Sequence, residues 1–317
     1  MVLGASLAAA TVLTACAGEP DPIELVVEPA SFDIAVGDDQ RLLVGLFTLE
    51  RQLVAHGEVE LGLAYLGDGT DDQAPISQTT AASFVPIPGT TPSDPTDQPS
   101  LVEDTGTGVY AAEVDLDQPG LWGVRIVGEL EDGTPITGNR TFEVLAEPLV
   151  PAPGDDAPRV DNHTLAAVEA GEVEPIAVDS RAQGPNDAIA HPHLHRTTVA
   201  DAIDAGRPVV VAIATPVYCA TRFCGPLTDV VAELAEEHAD RADFVHIEVW
   251  EDFDSQTLNE AAAAFIQTER GGNEPWVFLI DAEGRVADRW DNVLDVEELS
   301  AALNALPSLP EPTAAGR

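Results

Sequence analysis

Lysine is absent from the 317 residues: all 14 basic residues are arginine, against 56 Asp and Glu, a net charge of −42. Without lysine there is no Schiff base and no phosphate-cradling P-loop. Without a basic face there is no grip on nucleic acid or on anionic lipid headgroups. Cysteine is nearly absent too, at three residues, so neither a disulfide-rich scaffold nor a four-cysteine zinc site can form. Aromatics are only 5%, but the apolar fraction of 44% is that of a folded chain. The length exceeds what one hydrophobic core usually fills, so two domains are expected. Charge of this size repels itself unless salt screens it. A saline habitat and a GC-rich codon bias both account for it.

Met1 to Ala15 carry no charge and are small and apolar. That run is too short for a bilayer span, which takes about 20 residues, but suits the apolar core of a secretory signal. Leu13-Thr14-Ala15-Cys16 resembles the lipobox of bacterial lipoproteins. The resemblance implies a lipid on Cys16, a tether to Pro22, and a chain held on the outer face of the cell membrane. One departure is that no Lys or Arg precedes the apolar run. Outside the cytoplasm the remaining pair, Cys219 and Cys224, can persist as a disulfide.

Residues 23–146 read as an all-β, immunoglobulin-like sandwich. Eight short strands are expected, at 23–27, 32–36, 41–49, 59–66, 82–85, 109–114, 121–130 and 140–145. In Trp122, Val124 and Ile126 apolar side chains fall at every second position, as on a half-buried strand. Residues 86–98 read as an exposed loop, and Asp132-Gly133 as a turn. Four prolines within 146–160 suggest a solvated linker, part of a linker and extension over 147–194. Asp68 to Asp72 is acidic but lacks the spacing of a calcium loop.

Beyond it, strand and helix periods alternate. A short strand is expected at 176–178 and a Thr-capped helix at 198–205. Val209–Ala214 reads as a strand buried on both faces. An amphipathic helix follows at 226–238, then a strand at 244–249 and a helix at 255–267. A hairpin crosses Asp281 to Gly284, Asp295 caps a last helix, and 307–317 forms a loose tail. This order over 195–306, with Val209 to Ile213, Cys219 to Pro226 and Glu274 to Asp281 as anchors, resembles the thioredoxin-like α/β fold. It is also similar to actinobacterial lipoproteins that join such a domain to a β-sandwich. The resemblance implies a cis proline at Pro275 facing the cysteines. Cys219-Ala-Thr-Arg-Phe-Cys224 departs from the family's C-x-x-C spacing.

The chemistry of the pair follows from its placement. A cysteine at a helix N-terminus meets unpaired amides and the positive dipole end, which stabilise its thiolate. Arg222 would act the same way. Cys224 is better placed for the dipole and Cys219, earlier in the loop, is expected to be the more exposed, so the residues leave attacker and resolver open. The function expected is an envelope-anchored thiol–disulfide oxidoreductase acting through Cys219 and Cys224, with Pro275 beside them. Tyr218 and Trp276 are candidate substrate contacts. Partners would be extracytoplasmic proteins bearing thiols or disulfides, with no cofactor and no nucleic acid. Two alternatives stand: a non-catalytic binding protein with a stapled loop, and a Sco-like copper-handling protein. For the second, His191, His193 and His195 are candidate ligands beside the thiols. That family places its ligand His on a late loop, and this chain has no His between Asn259 and Leu306. A peroxiredoxin-type peroxidase is disfavoured, because Thr215 precedes Pro216 where that family has Thr after Pro. Asp252 and Asp254 read as a solvated face and a helix cap.

Overall fold

The computed structural model describes residues 20–67, 69, 74–87, 90, 96–103, 108–219, 223–266, 268 and 272–307. The Leu13–Cys16 segment, Arg222 between the cysteines, most of the Asp68–Asp72 run and nearly all of the tail lie outside them. Among the described residues no helix is long and apolar enough to cross a membrane.

The N-terminal half forms β1 (Ile23–Pro29), β2 (Gly37–Thr48), β3 (Leu53–Ala55), β4 (Glu58–Gly67), β5 (Gln78–Pro86), β6 (Ser100–Val102), β7 (Gly108–Leu116), β8 (Gly120–Glu129) and β9 (Pro135–Val144). Period-two burial is clear on β7, where Ala112, Val114 and Leu116 are buried and Glu113 and Asp115 exposed. These strands do not make the expected immunoglobulin-like sandwich. They form one sheet in the order β1-β9-β8-β4-β5-β7-β2-β3-β6, and β2 also pairs with β1. The ring β1-β9-β8-β4-β5-β7-β2 therefore closes as a seven-stranded barrel, with β3 and β6 appended. Closure rests on two strands. The first part of β2 pairs with β7 (Leu42↔Ala112), and its last residues pair with β1 (Leu25↔Thr48). The other side of β1 lies parallel to β9 (Ile23↔Ile136). The interior is filled by Leu42, Val44, Leu46, Leu61, Leu63, Trp122 and Ile126, all buried. The segment expected as a strand at 32–36 contributes one bridge, Ala35 to Leu145. The expected turn at Asp132-Gly133 is present: the Thr134 amide donates to the Asp132 carboxylate (2.9 Å), and Gly133 takes φ +83°. Of the expected loop 86–98, Ile87 is buried, and 88–89 and 91–95 lie outside the described residues.

The C-terminal half contains α1 (Leu165–Ala170), 3-10 turns at Pro175–Ala177 and Pro192–His195, α2 (Val199–Asp204), β10 (Val209–Ala214), α3 (Cys224–Glu237), β11 (Asp243–Glu248), β12 (Trp250–Asp252), β13 (Thr257–Leu258), α4 (Glu260–Ala263), β14 (Trp276–Ile280), β15 (Val286–Asp291) and α5 (Val296–Ala305). The sheet order is β11-β10-β14-β15, with β10 and β11 parallel and the other pairs antiparallel. The α/β thioredoxin-like expectation is also corrected. Of the described residues 40% are strand and 18% helix, and this half carries too few helices for a clear fold of that kind. The physical reason shows at two places. Residues 255–267 were expected as one helix, but Ser255–Leu258 turn back to pair with β12, leaving a single turn at α4. Residues 176–178 give a 3-10 turn instead of a strand, since Pro175 withholds a ladder donor.

Other local readings hold. Thr198 accepts from the Asp201 amide at the start of α2 (3.0 Å), and Asp295 accepts from the Glu297 and Glu298 amides at the start of α5. All six residues of β10 are buried. Gly284 closes the β14–β15 turn at φ +83°, where a Cβ would stand 2.8 Å from the Ile203 side chain.

Most of the stretch 146–160 is exposed, but it is anchored at two points. Val150 and Ala157 are buried in the C-terminal core. Asp33 is buried: its carboxylate accepts from the Leu149 and Val150 amides and pairs with Arg289 at 2.9 Å. Asn292 donates to Ala30 O (2.9 Å), Arg41 donates to Val293 O (3.1 Å), and Val293 packs among Leu43, Val85 and Val109. These contacts join the barrel to β15. Replacing Arg289 by Met leaves the Asp33 charge buried without its cation and is expected to lower unfolding stability by about 3 kcal/mol. Urea denaturation checks this; a loss under about 1 kcal/mol would show that the pair does not hold the junction.

Candidate functional site

The two cysteines sit where the buried strand β10 hands over to α3. Cys219 follows the strand and its amide donates to Thr215 O at 3.1 Å. Cys224 is the first residue of α3. They form a disulfide with Cα atoms 6.0 Å apart. Their environments differ: Cys224 is fully buried and Cys219 partly exposed. Cys219 is therefore the more exposed residue of the pair.

The Glu274–Pro275 peptide is cis, as expected for Pro275, and enters β14 beside the pair. A carboxylate oxygen of Glu274 and both sulfurs lie within 4.8 Å of one another. Sequence reasoning gave Glu274 no role, although it stood in the Pro275 anchor. Burial raises its carboxyl to about 7, with nearby Glu248 pushing the same way. Glu248, on β11, is also raised by burial to about 7, although it accepts from the Ser180 amide (2.8 Å).

Tyr218 stacks on Phe253, with ring centroids 3.9 Å apart and planes 2° from parallel. Phe253 also meets Trp250 edge-on at 5.4 Å. Phe253 and Val217 are exposed, so an apolar rim borders Cys219. Trp276, the other expected contact, is 1% exposed and packs between Phe32 and Phe278. It is a core residue of β14, a strand buried on both faces, and Phe253 supplies the second aromatic of the rim. Asp252 accepts from the Ser255 amide (3.1 Å) in the β12–β13 turn, so it does not cap a helix.

The three alternating histidines do not converge. His191 Nε2 pairs with Asp229 (2.7 Å), and His193 Nε2 lies 3.1 Å from Ala232 O. His195 alone turns inward, because the 3-10 turn rotates successive side chains by about a third of a circle. It is fully buried beside His246 and Asp179, which the sequence analysis did not single out. His246 and Glu248 did leave a signal, as polar residues in the otherwise apolar run Phe244 to Val249. Asp179 left none. Burial would raise the Asp179 carboxyl, but the Arg181 guanidinium, with bonds of 2.9 and 2.7 Å, brings it below the ordinary range. Burial lowers His195 to about 3 and lowers His246, so both imidazoles are neutral at neutral pH.

No protein-family model matches the chain, and no curated protein matches it. Among solved structures it is similar to an engineered protein from a structural genomics consortium at 13% identity and a TM-score of 0.21. The match covers 39% of this chain and 20% of that one, too little to carry an argument.

Between about pH 4.5 and 7 the folded state holds a proton on Glu274 that the unfolded state has released, so stability falls as pH rises through that window. Glu274→Gln, which mimics the protonated acid, is expected to match the wild type at pH 4. At pH 8 it should be more stable by about 2 kcal/mol, after discounting for partial exposure. Thermal or urea unfolding across pH checks this, and parallel profiles would contradict it.

Proposed function

We propose that this protein is an extracytoplasmic thiol–disulfide oxidoreductase working through Cys219 and Cys224, anchored by a lipid on Cys16 to the outer face of the cell membrane. One observation carries the reading: a bonded pair of one partly exposed and one buried cysteine, and a protonatable carboxyl beside both. The anchor rests on Leu13 to Cys16 alone.

In the oxidising direction a partner thiolate attacks Cys219 Sγ. The Cys219–Cys224 bond breaks and its electron pair leaves on Cys224 Sγ. The N-terminal dipole of α3 stabilises that thiolate, and the Glu274 carboxyl is placed to protonate it. The partner's second thiol then gives up its proton, attacks its own sulfur in the mixed disulfide and releases Cys219 as a thiolate, which takes a proton. The balance is two electrons and two protons moved from partner dithiol to this pair. The reducing direction is the same path reversed. Tyr218, Phe253 and Val217 offer the apolar surface on which an extended partner segment would rest.

The test is a redox titration of the Cys16→Ser chain in glutathione and dithiothreitol buffers, counting thiols by mass after alkylation. A reversible two-electron transition above about −270 mV is expected. A pair that stays oxidised below about −300 mV would leave a stapled binding protein instead. Cys224→Ser is expected to accumulate mixed disulfides through Cys219, and Cys219→Ser to accumulate few. The reverse pattern would overturn the assignment of Cys219 as the attacked sulfur.

A further inference from the structure

The polar cluster behind the disulfide calls for an explanation that thiol exchange does not supply. Asp179, His195 and His246 are each at most 1% exposed, and one ligating atom from each lies within 4.8 Å of the others. Asp179 Oδ2 stands 4.0 Å from His195 Nε2 and 3.8 Å from His246 Nδ1. These gaps are too long for hydrogen bonds and short enough for one atom to sit between. Neither ring nitrogen of His195 makes a well-formed hydrogen bond, and His246 Nδ1 makes none. Buried imidazole nitrogens without partners are costly, and a folded chain seldom keeps several together.

The surroundings have the form of an outer shell. His246 Nε2 donates to Ala214 O at 3.1 Å, which turns the Nδ1 lone pair toward Asp179. The Ala190 backbone lies against the His195 ring, on a segment that ends in the 3-10 turn. Arg181 forks onto both oxygens of Asp179 and is held in turn by Asp229 (2.8 Å). A carboxylate has about four lone-pair positions, so Oδ2 keeps one for a further ligand. Metal-binding histidines and carboxylates are oriented by such partners.

We propose that Asp179, His195 and His246 form a buried binding site for one divalent first-row transition ion, zinc by preference. Two imidazoles and a carboxylate suit zinc, iron(II) or manganese(II), and neither thiolate is needed. The site is separate from the disulfide yet tied to it. Asp179 precedes Ser180, whose hydroxyl accepts from the Val217 amide at 3.1 Å in the cysteine loop. Ala214, which holds His246, ends the strand that leads to that loop. A bound ion would thus brace the segment carrying Cys219 without touching sulfur.

The competing occupant is a single water, which would also span gaps of this size. The test uses the full chain, purified without chelator and analysed for metal by mass spectrometry, then stripped and titrated with Zn²⁺ against a chromophoric competitor. Because 56 acidic residues bind Zn²⁺ loosely, His195→Ala and His246→Gln are titrated beside the wild type. Expected are one equivalent taken up below about 1 µM, a loss of at least 100-fold in affinity in both variants, and a Tm raised by about 5 °C at 100 times the Kd. Co²⁺ in place of Zn²⁺ should give absorption bands of nitrogen and oxygen coordination without a thiolate charge-transfer band. Should a variant fail to fold, the wild-type stoichiometry and the Co²⁺ spectrum still decide. No stoichiometric uptake by the wild type, uptake unchanged in both folded variants, or a thiolate band would each overturn the site.

Discussion

Everything at the site depends on β10 being buried on both faces. A strand that presents six apolar residues to two layers at once cannot slide or tilt without exposing them. It therefore fixes its neighbours, β11 on one side and β14 on the other. Cys219 lies just beyond the end of β10, His246 and Glu248 on β11, and Glu274 at the entry to β14. Three strands in fixed register thus bring together residues that span 56 positions in sequence. The cysteine loop is short because its start and its continuation into α3 are both tied to that frame.

The second constraint is electrostatic. This half of the protein buries Asp179, His195, His246 and Glu248 behind one disulfide. In a chain of net charge −42, buried carboxylates survive only where cations or amides face them or where they stay protonated. Asp179 takes the first route through Arg181, and Asp33 through Arg289 and the amides of 149 and 150. Burial raises Glu274 and Glu248 to about 7, so each keeps its proton to a higher pH than an exposed carboxyl, and Glu248 also accepts from the Ser180 amide. The absence of lysine is consistent with these roles, since the forked guanidinium of Arg181 reaches both oxygens of a carboxylate, which an ammonium does less well.

Local elements were legible in the residues. The apolar run of β10, the Thr198 and Asp295 caps, the Gly284 turn and the amphipathic face of α3 each depend on contacts within a few residues. Architecture was not. Period two tells which face of a strand is buried but not whether the sheet closes, and closure here turns on one long strand dividing its length between β7 and β1. The alanine run after Asn259 has high helix propensity, yet pairing of β12 with β13 takes the residues before it. A resemblance carried by order and spacing could not weigh such pairings.

The sequence by itself determined the cysteine pair, the buried strand before it and the amphipathic helix after it. These are set by residue identity and short-range periodicity. Only the tertiary structure decided that the N-terminal strands close into a barrel and that the partners of His195 are His246 and Asp179. Each of these depends on burial between segments distant in sequence, and a linear pattern does not encode which distant surface a side chain will face.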